Sequence, residues 1–217
     1  MAYRRTDSVS ARLADNRRAI LNAARDLVAE GGFAAAQMTE VARKAGVATG
    51  TLYRYFPSKE KLCQQVFHEV SAREMSVLIS IAAEDRPVAD RLRDVLTTFA
   101  TRAVRGRRLA YALLAEPVDE GLTEERGRFR RVHADIFAGL LEDGVAQGVF
   151  FVANPKVAAA CIAGAIPTAL IGPLAPESHE LETNGKRVIE EIVQFCLSAV
   201  RYTDAASAQT LEQRISA

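Results

Sequence analysis

The sequence predicts an all-α protein with a small N-terminal helical domain and a larger helical domain behind it. Apolar residues recur every three or four positions in most segments, which is the spacing of one helix face. Glycine and proline residues divide these segments, and no stretch beyond a few residues alternates as a β-strand does. Because 49% of the 217 residues are hydrophobic and 25% are charged, the chain can bury a core. This composition excludes a disordered or fibrous protein.

The N-terminal part contains three predicted helices. The first covers residues 15–30, and a pair of glycines at positions 31 and 32 should end it, because glycine readily adopts the left-handed conformation that terminates helices. Two short helices are expected at residues 39–45 and 50–56, separated by Gly46.

The rest of the chain is predicted to form longer helices. Ser58 is a good N-cap for a helix that runs to about residue 83. The other helices are expected at residues 88–103, from residue 129 to about residue 148, from Pro155 onward, and at residues 188–200, with a loop at residues 176–185. We therefore predict one domain at residues 1–60, beginning with a flexible arm at residues 1–11. A second domain should span residues 61–203, followed by a disordered tail at residues 204–217.

The distribution of charge suggests a type of binding partner, and the cysteine content suggests a cellular compartment. The formal net charge of +1 divides into +4 for residues 1–60 and −3 for the remainder, which suggests an anionic partner for the N-terminal domain. Three scattered cysteines and a polar start without a signal-peptide core favour the reducing cytoplasm. Residues 157–176 carry no charge over a membrane-spanning length, but their alanine, glycine and proline content favours a buried helix over a membrane span.

Residues 39–61 have the pattern of a helix-turn-helix motif, whose second helix lies in the major groove of DNA. Leu52 and Phe56 share one face of that second helix and should pack inward. At about 100° per residue, Gly50 and Arg54 lie opposite Leu52 and should face outward.

The outward face suits a DNA groove. Small residues at positions 48–50 let the helix approach the base edges, and Arg54 could bind a guanine edge through two hydrogen bonds. Tyrosine and lysine side chains can hold phosphates, and helix N-termini, near Thr39 and Ser58, add N–H donors.

The same region resembles the N-terminal domain of the tetracycline-repressor (TetR) family of bacterial transcriptional regulators. The matching positions are Ile20 through Phe33, Thr39, Val41, Ala42, Ala45, Gly46, Val47, Gly50, Thr51, Leu52, Tyr53, Tyr55, Phe56, Lys59, Glu60 and Leu62. The resemblance implies that Thr39 caps the first motif helix and contacts a phosphate. It also implies phosphate contacts for Lys59, Tyr53 and Tyr55, and contacts to base edges for Ala48, Thr49, Gly50 and Thr51.

Several roles in this motif have alternatives. Tyr55 could instead be a packing residue. Arg43 and Lys44 either contact phosphate or form a solvated face. The Arg54 base contact is inferred from the helix face alone, and Arg4 and Arg5 could form an arm that reaches a neighbouring groove.

Reading DNA with short helices favours a homodimer on a pseudo-palindromic operator. Small residues recur every fourth position at Ala160, Gly164, Thr168 and Gly172, and the last helix is apolar at Ile189, Ile192, Val193, Cys196 and Val200. We predict that these two helices form a four-helix dimer interface, with burial inside one chain as the alternative.

The family resemblance also implies a small-molecule effector in the second domain. The candidate pocket residues are Phe67, Phe99, Tyr111, His133, Phe137 and Ile166, each of which could instead be plain core. The three histidines lack metal-ligand spacing, so no metal or cofactor is expected. The sequence thus predicts a DNA-binding regulator, most simply a repressor that a ligand releases. The alternatives are a helical adaptor or small-molecule-binding protein that does not bind DNA, and after these a helical enzyme.

Overall fold

The computed structural model of the chain describes the backbone of residues 2–200 and the side chains from residue 10 onward. Within that range it contains only helices, which confirms the predicted all-α class. In chain order they are α1 (Ala2–Ala35), α2 (Met38–Ala45), α3 (Thr49–Tyr55), α4 (Lys59–Ala82), α5 (Val88–Arg105), α6 (Arg107–Leu114), α7 (Glu120–Ala146), α8 (Pro155–Leu174) and α9 (Glu180–Ala199).

Several predicted helix ends are confirmed by specific contacts. The Ser58 side chain accepts a hydrogen bond from the Lys61 N–H at 3.3 Å, as an N-cap does. The Asn154 side chain caps α8 in the same way, at 3.1 Å from the N–H of Val157. Gly46 ends α2 in the left-handed conformation, with φ 68°.

Other boundaries differ from the prediction. The helix α1 begins at Ala2, so it includes the backbone of the expected arm, whereas the side chains of Arg4 and Arg5 lie outside the described residues. The short helix α6 is separate, and α7 begins at Glu120 because the Asp119 side chain caps it. The predicted tail at residues 204–217 also lies outside the described part.

The start of α9 corrects the predicted loop at residues 176–185. This helix begins at Glu180, and its first half is polar, so it shows no apolar stripe. Ion pairs at i,i+4 spacing support its surface instead, between Lys186 and Glu190 at 3.6 Å and between Arg187 and Glu191 at 2.7 Å.

The described residues pack around two cores. The first joins α1, α2, α3 and the start of α4, and it includes Ile20, Val41, Leu52 and Leu62. The second joins the end of α4 with α5, α7, α8 and α9. The short helix α6 lies between them, because Ala112 is buried in the first core while Ala110 and Leu114 pack against the second.

The helix α8 passes a length and hydropathy test for a membrane span. In this fold its aliphatic side chains Ile162, Ile166 and Leu170 are buried in the second core. The predicted buried helix is therefore buried on one face only, because Val157, Ala160 and Gly172 on its other side are exposed.

Candidate nucleic-acid interface and ligand cavity

The helices α1–α3, here called the reading unit, present one polar face of α3 to solvent. Leu52 is fully buried and Phe56 is 5% exposed, so the apolar side of α3 packs on the first core. Gly50 and Arg54 lie on the opposite, exposed side. The structure therefore has the orientation that the 100° periodicity predicts.

Most of the predicted DNA-contacting residues reach the surface. Thr39, Lys44, Ala48, Gly50, Tyr53 and Arg54 are exposed, and Thr49, Thr51 and Lys59 are half-buried. Tyr53 exposes 49% of its surface, although an aromatic side chain normally gains from burial. This leaves a contiguous set of small, hydroxyl and cationic groups on α2, α3 and the start of α4.

Two predicted roles need correction. The hydroxyl of Tyr55 is buried without a hydrogen-bond partner, and its ring packs against the first core. Tyr55 is therefore a packing residue in this conformation, since its hydroxyl cannot reach a phosphate. Thr39 is not the cap of α2, because the N-cap position is held by Gln37. Thr39 lies one residue inside the helix, where it remains exposed.

Gly50 has no structural reason to be glycine within the described residues. A Cβ atom added there would meet no atom within 4 Å, and Gly50 does not have a positive φ. Glycine inside a helix costs about 0.5–1 kcal/mol relative to alanine. No contact within the described residues thus requires glycine at this position.

The cations around this face differ in what they contact. Lys44 pairs with Glu30 at 2.6 Å, and Arg43 pairs with Glu40 at 2.9 Å. The Lys59 ammonium donates to the carbonyl of Ala34 at 3.3 Å. Such exposed pairs are weak and can exchange partners with a phosphate. Arg54 pairs with no carboxylate in the described part of the chain, so its guanidinium is available without breaking a contact.

A cavity of about 540 Å³ lies among α4, α5, α6, α7 and α8. Three of the six predicted pocket residues line it, namely Phe67, Phe99 and His133. Phe137 and Ile166 are corrections, because they are 2% and 1% exposed and belong to the second core. Tyr111 also packs against that core and does not line the cavity.

The polar groups of this cavity are predominantly basic. Four arginines line it, Arg102, Arg105, Arg126 and Arg130, against one acidic residue, Glu74. Arg102 and Glu74 form two parallel hydrogen bonds, of 2.5 Å and 2.7 Å. Burial lowers the pKa of His133 to about 4, so this imidazole is neutral near pH 7. The cavity therefore combines an apolar wall with an excess of positive charge.

A second, more open depression of about 700 Å³ lies between α4 and α7. Of its lining residues, Met75 and Phe129 also line the first cavity. It has Arg128 as its one lining arginine, and this side chain is already paired with Glu125 at 2.5 Å. The first cavity is therefore the better candidate for a ligand.

The predicted dimer residues divide into three groups. Ala160 and Gly172 of α8 are exposed, and Ile189 and Ile192 of α9 are half-buried. Val193, Cys196 and Val200 are instead buried in the core of their own chain, which corrects their assignment. Gly164 and Thr168 also line the ligand cavity, and Thr168 is exposed.

Sequence reasoning missed several residues at these sites. Phe195 is 65% exposed and Val157 is 58% exposed, which makes them better interface candidates than the buried residues of α9. Arginines close together in sequence also differ in their contacts, since Arg128 pairs with Glu125 whereas the cavity-lining Arg126 donates to the carbonyls of Ala112 and Leu113. No sequence spacing indicates which arginines face a cavity.

Two family models match the chain. The model described as bacterial regulatory proteins, tetR family, matches residues 20–66. The model described as tetracyclin repressor-like, C-terminal domain, matches residues 85–169. Together they span more than half of the chain and correspond to the reading unit and to the cavity-bearing helices.

Curated relatives and solved structures agree with these models. The fatty acid metabolism regulator protein of Bacillus subtilis (strain 168) is 26% identical over 132 residues, which are 59% of this chain and 68% of that protein. The HTH-type transcriptional repressor KstR of Rhodococcus jostii (strain RHA1) is 54% identical over 48 residues, or 22% of this chain and 23% of KstR. The crystal structure of FadR from Bacillus subtilis in complex with stearoyl-CoA has a TM-score of 0.72 and 20% identity, covering 85% of this chain and 99% of that one. The SmeT–triclosan complex also has a TM-score of 0.72, with 21% identity, covering 87% and 93%.

Proposed function

Because this chain belongs to the tetR family of bacterial regulatory proteins, we propose that it is a cytoplasmic repressor that binds a pseudo-palindromic operator as a homodimer. A small molecule in the α4–α8 cavity releases it from DNA. The observation that carries this proposal is the exposed face of α3. There Gly50 has no neighbour that requires glycine, and Arg54 pairs with no carboxylate among the described residues, while Leu52 on the opposite side is buried.

The roles on this face follow from its chemistry. Gly50 and Ala48 let the helix backbone approach the base edges, and Thr49 and Thr51 add hydroxyls that bond to bases or touch thymine methyl groups. Arg54 forms two hydrogen bonds with the edge of one guanine base. Tyr53, Lys59 and Lys44 hold phosphates and so fix the position of the helix without reading sequence.

The homodimer is formed by the exposed apolar surface of α8 and α9. Val157 and Phe195 are exposed on these helices, and the N–H of Phe151 donates to the Val200 carbonyl at 2.9 Å. The end of α9 therefore lies beside the α7–α8 connection, where Phe151 is itself 51% exposed. Burying such apolar groups between two copies would place two reading units on one duplex.

The effector is an amphipathic anion, with an apolar tail and an acidic group. The tail would contact the aromatic and aliphatic lining, which includes Phe67, Phe99 and Phe129, while the acidic group would face the arginines. The cavity volume of about 540 Å³ suits a ligand of this kind. The similar fold of FadR, whose crystal structure contains stearoyl-CoA, supports the same class.

The test measures fluorescence anisotropy of a labelled duplex from the region upstream of the protein's own gene. We expect binding that weakens steeply between low and moderate salt, because phosphate contacts release counterions. Stearoyl-CoA and stearate, the probes for an acidic amphipath, should release the duplex, while stearyl alcohol at equal concentration should not. Release by the alcohol alone would contradict the anionic class, and salt-insensitive binding would contradict the phosphate roles.

The two other functions make different predictions. An adaptor that does not bind DNA would leave the anisotropy of every duplex unchanged while still forming a complex with a protein partner. An enzyme would convert a bound compound into product. The two curated relatives and the FadR structure reported above are named as regulators.

A further inference from the structure

The reading unit contacts the rest of the described chain through α4, through α6 and through Leu122 at the start of α7. The helix α4 continues from it covalently, and the end of α1 packs against α6. Residues Leu109 and Leu113 of α6 pack against the core of the reading unit and also line the ligand cavity. The helix α6 is therefore a shared wall between the two sites.

The carboxylate of Glu116, just after α6, lies at the glycine turn of α1. Its Oε2 accepts a hydrogen bond from the backbone N–H of Phe33 at 2.9 Å. Its Oε1 lies 2.5 Å from Nη1 of Arg108, which is on α6. The Glu116 side chain is 15% exposed and that of Arg108 is 28% exposed, so water screens this pair less than the surface pairs. One carboxylate thus contacts both the reading unit and α6.

The backbone of α1 is shaped to admit this carboxylate. Gly31 and Gly32 interrupt the helical dihedral angles, and Gly32 has φ 74°, which favours glycine. A Cβ atom on Gly32 would lie only 2.0 Å from Oε1 of Glu116 and 2.2 Å from Nη2 of Arg108. Glycine is therefore required here both for its conformation and for the space that Glu116 occupies.

A second contact connects the cavity to the same end of α6. Arg126 lines the cavity, and it donates to the carbonyls of Leu113 and Ala112, each at 2.7 Å. These carbonyls belong to the last turn of α6, three and four residues before Glu116. The cavity is thus connected to Glu116 through the hydrogen bonds of Arg126 to the end of α6 and then through the backbone, and Glu116 in turn accepts from the Phe33 N–H.

We propose that Glu116 is the positioning residue that fixes the angle of the reading unit relative to the ligand cavity. A ligand that displaces Arg126 and the end of α6 withdraws the Glu116 carboxylate from the Phe33 N–H, and the reading unit then leaves its DNA-competent position. The ligand's role in this inference rests on the proposed function, whereas the fixing of the reading unit by Glu116 can be tested without DNA.

The first measurement is amide hydrogen exchange in the full-length protein, with no DNA or ligand added. Glu116→Ala should speed exchange at Phe33 about tenfold or more, because the amide loses a charged acceptor. The matched control is Glu125→Ala, which removes a carboxylate paired with Arg128 on α7 at the surface. In the control the Phe33 rate should not change. Equal Phe33 rates in wild-type protein and Glu116→Ala would overturn the proposal.

Exchange at other amides separates positioning from simple unfolding. Positioning predicts faster exchange along the facing surfaces of α1 and α6, while the amide of Leu52 inside the reading unit stays protected. Loss of protection at Leu52 in Glu116→Ala, and also in the milder Glu116→Gln, would mean that Glu116 only stabilises the fold. That result would also overturn the proposal.

The second measurement is operator affinity by anisotropy. Glu116→Ala should weaken binding about tenfold, and stearoyl-CoA should weaken it little further, because the contact is already broken. The double variant Gly32→Ala/Glu116→Ala should lose no more affinity than the weaker-binding single variant. Full affinity with faster Phe33 exchange would overturn the positioning role. If neither wild-type protein nor Glu125→Ala binds any duplex, the proposed function fails, and the exchange data still decide whether Glu116 fixes the reading unit.

Discussion

Replacing Gly50 by alanine should stabilise the protein and weaken its binding to DNA. Gly50 is the second residue of α3, and an added methyl group would meet no atom of the described residues within 4 Å. Alanine should therefore raise the free energy of unfolding by up to about 0.5–1 kcal/mol, through the lower backbone entropy of the unfolded chain.

The effect on DNA binding has the opposite sign and a larger size. A methyl group forced into a close-packed contact costs about 1–3 kcal/mol. A dimer places two copies of α3 on the operator, so the total loss should be about 2–6 kcal/mol, which is roughly 30-fold or more in affinity. Urea denaturation measures the first quantity, and anisotropy with the upstream duplex measures the second.

Gly139→Ala is the matched control, because Gly139 is also exposed in a helix and its added Cβ would also meet no atom within 4 Å. This variant should gain stability without losing DNA affinity. If Gly50→Ala binds the operator as tightly as wild-type protein does, the backbone of α3 does not approach the bases. If Gly50→Ala lowers stability, the glycine has a structural role that the fold does not show, and the reasoning is wrong.

Three further predictions concern other sites. Arg54→Ala should reduce the preference for operator over random DNA by about 1–3 kcal/mol, because two hydrogen bonds to a guanine are lost. Competition binding measures this preference. Equal losses of affinity for operator and random DNA would make Arg54 a phosphate contact. Phe195→Asp should convert the proposed dimer to monomer in sedimentation experiments, because it places a charge on the apolar face. A dimer of unchanged stability would show that this face is not the interface. The folded-state pKa of His133 is about 4, below the usual 6.5. The neutral, buried imidazole therefore makes its full contribution to the free energy of unfolding above pH 6.5, and this contribution is lost as the pH falls toward 4. Between pH 7 and pH 5 this loss should be about 2 kcal/mol. In His133→Phe the urea midpoint should therefore depend less on pH than in the wild-type protein. If the midpoint of the variant changes with pH as steeply as that of the wild type, His133 is accessible to protons in the folded state.

The orientation of α3 could be predicted from the sequence because it depends only on local periodicity. Leu52 in α3 and Phe56 at its C-cap are four residues apart and both pack inward, so their side fixes where Gly50 and Arg54 point. The caps at Ser58 and Asn154 were predictable for the same reason, since each involves an N–H three residues away.

The cavity and the interface depend on how long helices rotate against one another, and periodicity does not determine that rotation. His133 and Phe137 lie one turn apart on α7, yet the first lines the cavity and the second is core. The helix α9 is apolar on more than one side, so the sequence could not separate the buried Cys196 from the exposed Phe195. The contact between Glu116 and Phe33 joins residues 83 positions apart, and no local pattern indicates it.

The unbroken course of α4 has a geometrical consequence. Glu74, in the cavity wall, and Lys59, beside the reading unit, lie on the same rigid rod, separated by about 22 Å at 1.5 Å per residue. A tilt of about 10° at the cavity end would swing the other end by about 4 Å, close to the spacing of one base pair along B-DNA. In the proposed homodimer, a ligand bound in the cavity would therefore move both reading units away from the positions in which they fit the major groove.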